Sequence, residues 1–189
     1  LNMSEVQRAV GDELDRIGPV IDQLGARFSA AGEALALVGG PVRDAMLGRL
    51  QNDLDFTTSA RPEVTERLIS GWADAVWDMG RAFGTIGCRK GDWQVEITTY
   101  RSESYDPSSR KPDVDFGDSL TGDLGRRDFT VNAMAVTLPD RGFEDPFGGQ
   151  LDVEALDTLG LLEQRWADLA GTLAAQYPES DIGSLAPEE

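Results

Sequence analysis

The chain has 189 residues, with 34 acidic against 17 basic side chains and a formal charge of −17, which rules out a broad electrostatic grip on nucleic acid and leaves room only for local contacts. Hydrophobic residues at 40% and charged residues at 27% fit one compact domain with an appendage and exclude disorder throughout. Histidine is absent and cysteine occurs once, at Cys88, so Ser-His-Asp triads, Cys-His pairs, His-ligated metals and internal disulfides are excluded and carboxylate chemistry remains.

Leu1 and Asn2, ahead of Met3, are left out of the fold reading. No basic stretch followed by an apolar core opens the chain, and no apolar run approaches the roughly 20 residues of a membrane span. A cytoplasmic protein with no membrane partner is expected. Ser4 and Gln7 have capping-box spacing, and Val6, Ala9, Val10, Leu14 and Ile17 recur on one helical face. Gly18-Pro19 interrupts that helix, and Pro19 is suited to begin a second one over residues 19–28. Residues 34–38 form a short apolar run, the pattern of a strand covered on both faces, and Gly39-Gly40 ends it. Pro41 then opens a helix over 42–47, stopped by Gly48.

Residues 53–57 alternate polar and apolar as a strand does, so Asp53 and Asp55 share a face. A helix over 62–69 and a brief strand over 75–77 come next. A hairpin joins 85–89 to 93–99 through Lys90-Gly91-Asp92. Residues 101–119, rich in Ser, Pro, Asp and Arg without periodicity, read as a mobile loop. A short helix over 122–126 precedes another over 130–134, which Asp128 is placed to cap. Residues 135–138 are expected to be the last strand of the sheet, closing through Pro139-Asp140-Arg141-Gly142.

Two domains are expected: a head over 1–150 and an acidic helical extension over 151–189. Within the extension, leucines at 156, 159, 162, 169 and 173 give residues 151–176 an amphipathic pattern, and residues 177–189 read as a frayed tail. Nine acids against Arg165 alone give it a net charge of −8.

Three clusters carry chemistry. Gly39-Gly40-Pro41-Val42-Arg43-Asp44 puts two glycines and a cation between a strand and a helix, where backbone can approach a phosphate; a turn with no ligand has the same look. Asp53 and Asp55 can share a divalent cation, and Mg²⁺ favours one or two carboxylates together with substrate phosphates. Glu96, on the strand over 93–99, is placed to lie across the sheet as a third carboxylate. Asp113-Val114-Asp115 has the same spacing but follows Pro112 in the irregular loop, with no glycine turn or strand before it, so no metal is assigned there. The third cluster is Arg126-Arg127-Asp128-Phe129-Thr130-Val131-Asn132. Its two guanidiniums can neutralise a polyphosphate, with Asp128 and Asn132 orienting them or bonding a ribose hydroxyl.

These strings, together with Val95-Glu96-Ile97-Thr98-Thr99-Tyr100-Arg101, Asp123-Leu124 and Asp145-Pro146-Phe147-Gly148-Gly149, occur in an order that resembles the catalytic head of the CCA tRNA nucleotidyltransferase and bacterial poly(A) polymerase family, over about residues 18 to 150. The resemblance implies an α/β (α+β) nucleotidyltransferase fold of the polymerase β-like kind, a small mixed sheet flanked by helices, here with a C-terminal helical appendage. It implies Mg²⁺ held by Asp53 and Asp55 and assisted by Glu96. Gly39, Gly40 and Arg43 would hold the triphosphate, and Arg126, Arg127, Asp128 and Asn132 would engage phosphate and ribose. The implied reaction is attack of the tRNA 3′ hydroxyl on the α-phosphate of CTP or ATP.

After Gly149 the family continues with a neck carrying Glu-Asp-x-x-Arg and with basic tRNA-binding domains. No such string follows here, so the expectation is a truncated or minimal form with weak tRNA binding. Two other readings remain at this point: a poly(A) polymerase head, and a non-catalytic fragment that self-associates as a homo-oligomer through the helix over 151–176.

Overall fold

The computed structural model describes residues 3–78, 80–102 and 115–155. The chain divides into two units, Leu1–Gln150 and Leu151–Glu189; of the second, residues 151–155 are described and are helical. The side chains of the Ser4/Gln7 capping box, the interior of the 101–119 loop with Asp113-Val114, and the leucine-patterned segment from residue 156 onward lie outside the described residues.

In the first unit, α1 (Met3–Arg16) and α2 (Gly18–Ala30) are separated at Ile17, and Pro19 occupies the first turn of α2, where its missing N–H costs no hydrogen bond. β1 (Leu35–Val38) is buried at all four positions, as its unbroken apolar run predicts. α3 (Gly40–Met46), β2 (Asp53–Thr58), α4 (Pro62–Ile69) and β3 (Ala75–Trp77) follow. The hairpin β4 (Thr85–Lys90) and β5 (Trp93–Thr99) turns at Gly91, and α5 (Leu120–Gly125) starts under a cap in which Ser119 Oγ accepts from the Gly122 amide at 3.1 Å.

Three expectations are corrected. The segment 101–119 is not irregular at its ends: β6 (Arg101–Ser102) and β7 (Asp115–Phe116) pair antiparallel. The helix expected over 130–134 is a single 3₁₀ turn, Thr130–Asn132, whose N-cap is Phe129 with no side-chain bond, so Asp128 does not cap it. β8 (Ala135–Leu138) is not the last strand, because the turn at Pro139–Gly142 leads into β9 (Phe143–Glu144), which pairs with it. Two-residue strands carry too little periodicity to be read from sequence.

The seven-stranded sheet runs β3-β4-β5-β2-β1-β8-β9, and β2 and β5 are its parallel pair. β2 therefore lies near the middle of the sheet with neighbours on both sides. Register sorts the side chains into two faces. One face carries Leu35, Leu37, Leu54, Phe56, Ile86, Cys88, Val95 and Ile97, all buried, with α2 and α4 packed against its strands. The opposite face divides in two. Over β1 and β8, α5 covers it through a cluster of Ala36, Val38, Leu124, Ala133 and Ala135. Over the start of β2 and over β5, it presents Asp53, Asp55, Gln94 and Glu96, all exposed. This division creates the site: one sheet face is the core, and half of the other is left open.

Phe56 is the pivot of the arrangement, fully buried directly behind Asp55. Phe56→Ala is expected to lower unfolding free energy by about 3–5 kcal/mol, measured as a shift of the urea midpoint with the slope unchanged.

Candidate functional site

Asp53 and Asp55 stand on β2 at positions whose alternation with buried Leu54 and Phe56 turns both carboxylates to the open face. In the parallel register Asp55 lies opposite Glu96 and Asp53 opposite Gln94, so the three carboxylates expected from sequence share one surface. Although Asp55 reaches solvent, desolvation by the atoms packed around it, reinforced by the charges of Glu96 and Asp53, pushes its carboxyl above the usual carboxylate range, while Arg127 pulls it down. Among the described residues no group of three or more acidic, Cys or His side chains is gathered into a metal cluster. Two carboxylates on one surface are the donors that a hard cation takes when phosphate and water complete its shell. The mutual repulsion at Asp55 is the kind that such an ion relieves.

The glycine turn sits next to this surface. Gly39 has φ +72°, a conformation that side chains rarely adopt, and a Cβ there would meet Arg127 Nη1 at 3.0 Å. The turn and the Arg127 guanidinium are thus packed together. In the first turn of α3, Pro41 has no N–H and the Val42 and Arg43 N–H groups both donate to Gly39 O at 3.1 Å. Anion attraction here falls to the side chains instead. Gly40 passes close to Arg43, a Cβ there lying 3.6 Å from Arg43 Nη2. Arg43 itself donates from Nη1 to Asn132 Oδ1 at 2.9 Å and from Nε to Asp44 Oδ1 at 3.0 Å. Asn132 therefore orients Arg43 rather than the Arg126-Arg127 pair.

That pair is held by a residue to which spacing alone gave no role. Asp123 is completely buried and accepts from Arg126 Nε at 3.1 Å and Nη2 at 3.0 Å, from the Arg101 amide at 3.1 Å and from Thr57 Oγ1 at 3.0 Å, with Arg127 Nη2 at 3.4 Å. The orienting function assigned to Asp128 belongs to Asp123, and Asp128 is exposed. The signal available in sequence was its i, i+3 and i, i+4 spacing to the two arginines. Beside them Arg101 donates from Nη2 to Thr85 Oγ1 at 3.2 Å, and burial with the nearby charges of Arg126 and Arg127 pulls its guanidinium down. Burial and the charge of Asp123 push the Tyr100 phenol up to about 12. The Nε–H groups of Arg101 and Arg127 are buried without a hydrogen-bond partner among the described residues. Three guanidiniums around one carboxylate leave a net positive, donor-rich pocket edge directly beside the carboxylate surface.

Among the described residues no helix is long and apolar enough to cross a membrane. Residues 35–157 match the poly(A) polymerase head domain family. The CCA-adding enzyme of Bacillus subtilis (strain 168) is 39% identical over 163 residues, which are 84% of this chain and 40% of that enzyme. Among solved structures, the Bacillus stearothermophilus CCA-adding enzyme in complex with CTP aligns with a TM-score of 0.57 at 34% identity, covering 75% of this chain and 32% of that one. A tRNA nucleotidyltransferase complexed with a primer tRNA and an incoming ATP analog aligns with a TM-score of 0.57 at 32% identity, covering 69% and 36%. The chain thus spans two fifths or less of the length of these relatives. With a family match over most of its length and the carboxylate pair, glycine turn and arginine cluster assembled within that match, the chain belongs to the poly(A) polymerase head domain family of nucleotidyltransferases.

Proposed function

We propose that this chain is the catalytic head of a Mg²⁺-dependent tRNA nucleotidyltransferase that joins CMP and AMP, from CTP and ATP, to a tRNA 3′ end in the cytoplasm. The observation that carries the proposal is the juxtaposition of the Asp53–Asp55 surface with the Arg101–Arg126–Arg127 cluster, joined by the hydrogen bond from Thr57, two residues after Asp55 on β2, to the Asp123 that holds the arginines. A nucleoside triphosphate needs both: cationic donors along its β- and γ-phosphates and acidic residues where the α-phosphate reacts.

Asp53 and Asp55 would hold Mg²⁺, which, when bound, supplies charge neutralisation at the α-phosphate and lowers the pKa of the attacking hydroxyl. Glu96 keeps the local potential negative beside them. Arg126 and Arg127, fixed by Asp123, face the departing pyrophosphate, and their two-point donors stabilise charge that accumulates there. Arg43, braced by Asp44 and Asn132, lines the glycine turn on that side. Asp128, exposed next to Arg127, is available to a ribose hydroxyl. In this reading the head spans 1–150 and the acidic extension 151–189. The relatives named as CCA-adding enzymes favour C and A addition to tRNA over poly(A) synthesis.

The deciding experiment incubates the chain with tRNA lacking its 3′ end, Mg²⁺ and each labelled triphosphate. CTP and ATP are expected to be incorporated weakly, at a rate abolished by Asp53→Ala or Asp55→Ala, with a smaller loss for Glu96→Gln. Mg-NTP binding and turnover unchanged in Asp53→Ala would refute the assignment, and incorporation of ATP alone, in long runs, would select poly(A) synthesis.

The raised Asp55 carboxyl has a consequence for stability. Because its folded pKa lies above its unfolded value, the native protein binds the extra proton between those two values, and stability falls as pH rises through that window. In the absence of divalent cations, Asp55→Asn is therefore expected to unfold at higher urea than the wild type at pH 7. The difference should shrink as the pH falls toward the unfolded value of about 3.9 and vanish only well below it, where the carboxyl is neutral in both states. A urea midpoint for Asp55→Asn that is equal to or below wild type at pH 7 would contradict this.

A further inference from the structure

We propose that Trp77 and Arg89 form the seat of the acceptor strand, with the Trp77 indole stacking on a base at an unpaired RNA 3′ end and Arg89 meeting its backbone phosphate. The proposal rests on the nucleotidyl-transfer reading and adds the side from which the acceptor enters.

The sheet register sets out a row across the open face. Trp77 is paired with Gly87, Gly87 with Glu96, and Glu96 with Asp55. Directly paired residues project to the same side, so Trp77 shares the face of the catalytic carboxylates. A Cβ built on Gly87 would overlap the indole at Nε1, Cε2 and Cδ1. The ring therefore lies over β4, toward Glu96, about one strand spacing (~4.8 Å) from that residue's strand. A glycine in the middle of a strand weakens it, and it is retained where another group must approach closely. Here the approaching group is the indole.

The other tryptophans with described contacts have structural work. Trp72 is 5% exposed and donates from Nε1 to Gln23 at 2.6 Å, and Trp93 carries the Arg16 guanidinium over its ring. Trp77 is half-buried, and no hydrogen bond from its indole N–H to a described residue is present. Arg89, exposed and on the same face, pairs with Ala75 on one side and Gln94 on the other. It is a diagonal neighbour of Trp77 at about 7–8 Å between backbones. An aromatic side chain on which a base can stack, with a cation one nucleotide's reach away for the backbone, is the combination by which proteins hold single-stranded nucleic acid.

Reaction geometry selects the acceptor as the occupant. Nucleotidyl transfer is an in-line displacement, so the attacking hydroxyl and the leaving pyrophosphate lie on opposite sides of the α-phosphate. Of the cations for the pyrophosphate, Arg127 packs against the Gly39 turn on the β1 side of the carboxylates, and Arg126 is held with it on Asp123. The hydroxyl must then arrive from the β5-β4-β3 side, where the face carries Glu96, Gly87, Arg89 and Trp77.

The test measures the 189-residue chain and its variants binding a labelled single-stranded oligoribonucleotide by fluorescence anisotropy, and Mg-CTP by calorimetry, with thermal melts alongside. Trp77→Ala is expected to weaken RNA binding about tenfold or more, with Mg-CTP affinity unchanged and Trp77→Phe keeping most of the RNA affinity. Gly87→Ala, which displaces the indole, should copy Trp77→Ala, and Arg89→Ala should lower the salt dependence of RNA binding by about one counterion. Equal RNA affinity in wild type and Trp77→Ala, or an equal loss of RNA and CTP affinity in that variant, overturns the proposal. Failure of the underlying reading looks different: the wild type would then bind no Mg-CTP while its Trp77-dependent RNA affinity persisted.

Discussion

The buried carboxylate of Asp123 is the constraint on which the site depends. It joins three parts of the chain: the β2 strand through Thr57, the start of β6 through the Arg101 amide, and the two arginines that follow α5. A charge taken fully out of water is tolerated only where its lone pairs are satisfied, and removing its partners costs about 3–5 kcal/mol. Asp123 meets that condition with donors that are themselves needed elsewhere. Its negative charge compensates one guanidinium of three, which leaves the others with donors to spare, including the unpartnered Nε–H groups of Arg101 and Arg127. The same contact to Thr57 ties the cationic side of the site to the strand that carries Asp53 and Asp55, two residues before it.

That connection also explains why the sheet is covered so unevenly. One face is closed by α2 and α4 and forms the core. On the other, α5 closes only the β1 and β8 side through Leu124 and the alanines of the small cluster, and ends where Asp123 reaches Thr57. Its end at Gly125 puts Arg126 and Arg127 at the boundary between the covered and open halves.

Sequence reading located the carboxylates well because their signal is local. Asp53 and Asp55 alternate with Leu54 and Phe56, and period-two alternation carries the face as well as the strand. Glu96 was placed on the right surface for the same reason, through its own alternation with Val95 and Ile97. Polar partnerships were less legible. Asn132 and Asp128 were read as partners of the arginines because they are adjacent in sequence, yet Asn132 bonds Arg43, 89 residues away, and Asp123 takes the arginines. Such choices are made by tertiary approach, here of the 3₁₀ turn Thr130–Asn132 to α3, and no periodicity encodes them. The strands β6, β7 and β9 were missed on simpler grounds: two residues held by one pairing contain no pattern to detect.

Under the proposed function, an acidic chain would have to bind polyphosphates and RNA against its own charge. Leaving aside the −8 of residues 151–189, the first 150 residues still carry −9, so the long-range field repels both substrates and gives no help in steering them. Affinity must come from short-range contacts whose strength survives salt: donors buried at the site edge, a divalent cation between carboxylates, and stacking on an aromatic ring. The first group is visible in the Asp123 cluster, and the proposal assigns the second to Asp53 and Asp55 and the third to Trp77. In that proposal the substrates would be recognised by chemistry at the site rather than gathered by charge at a distance.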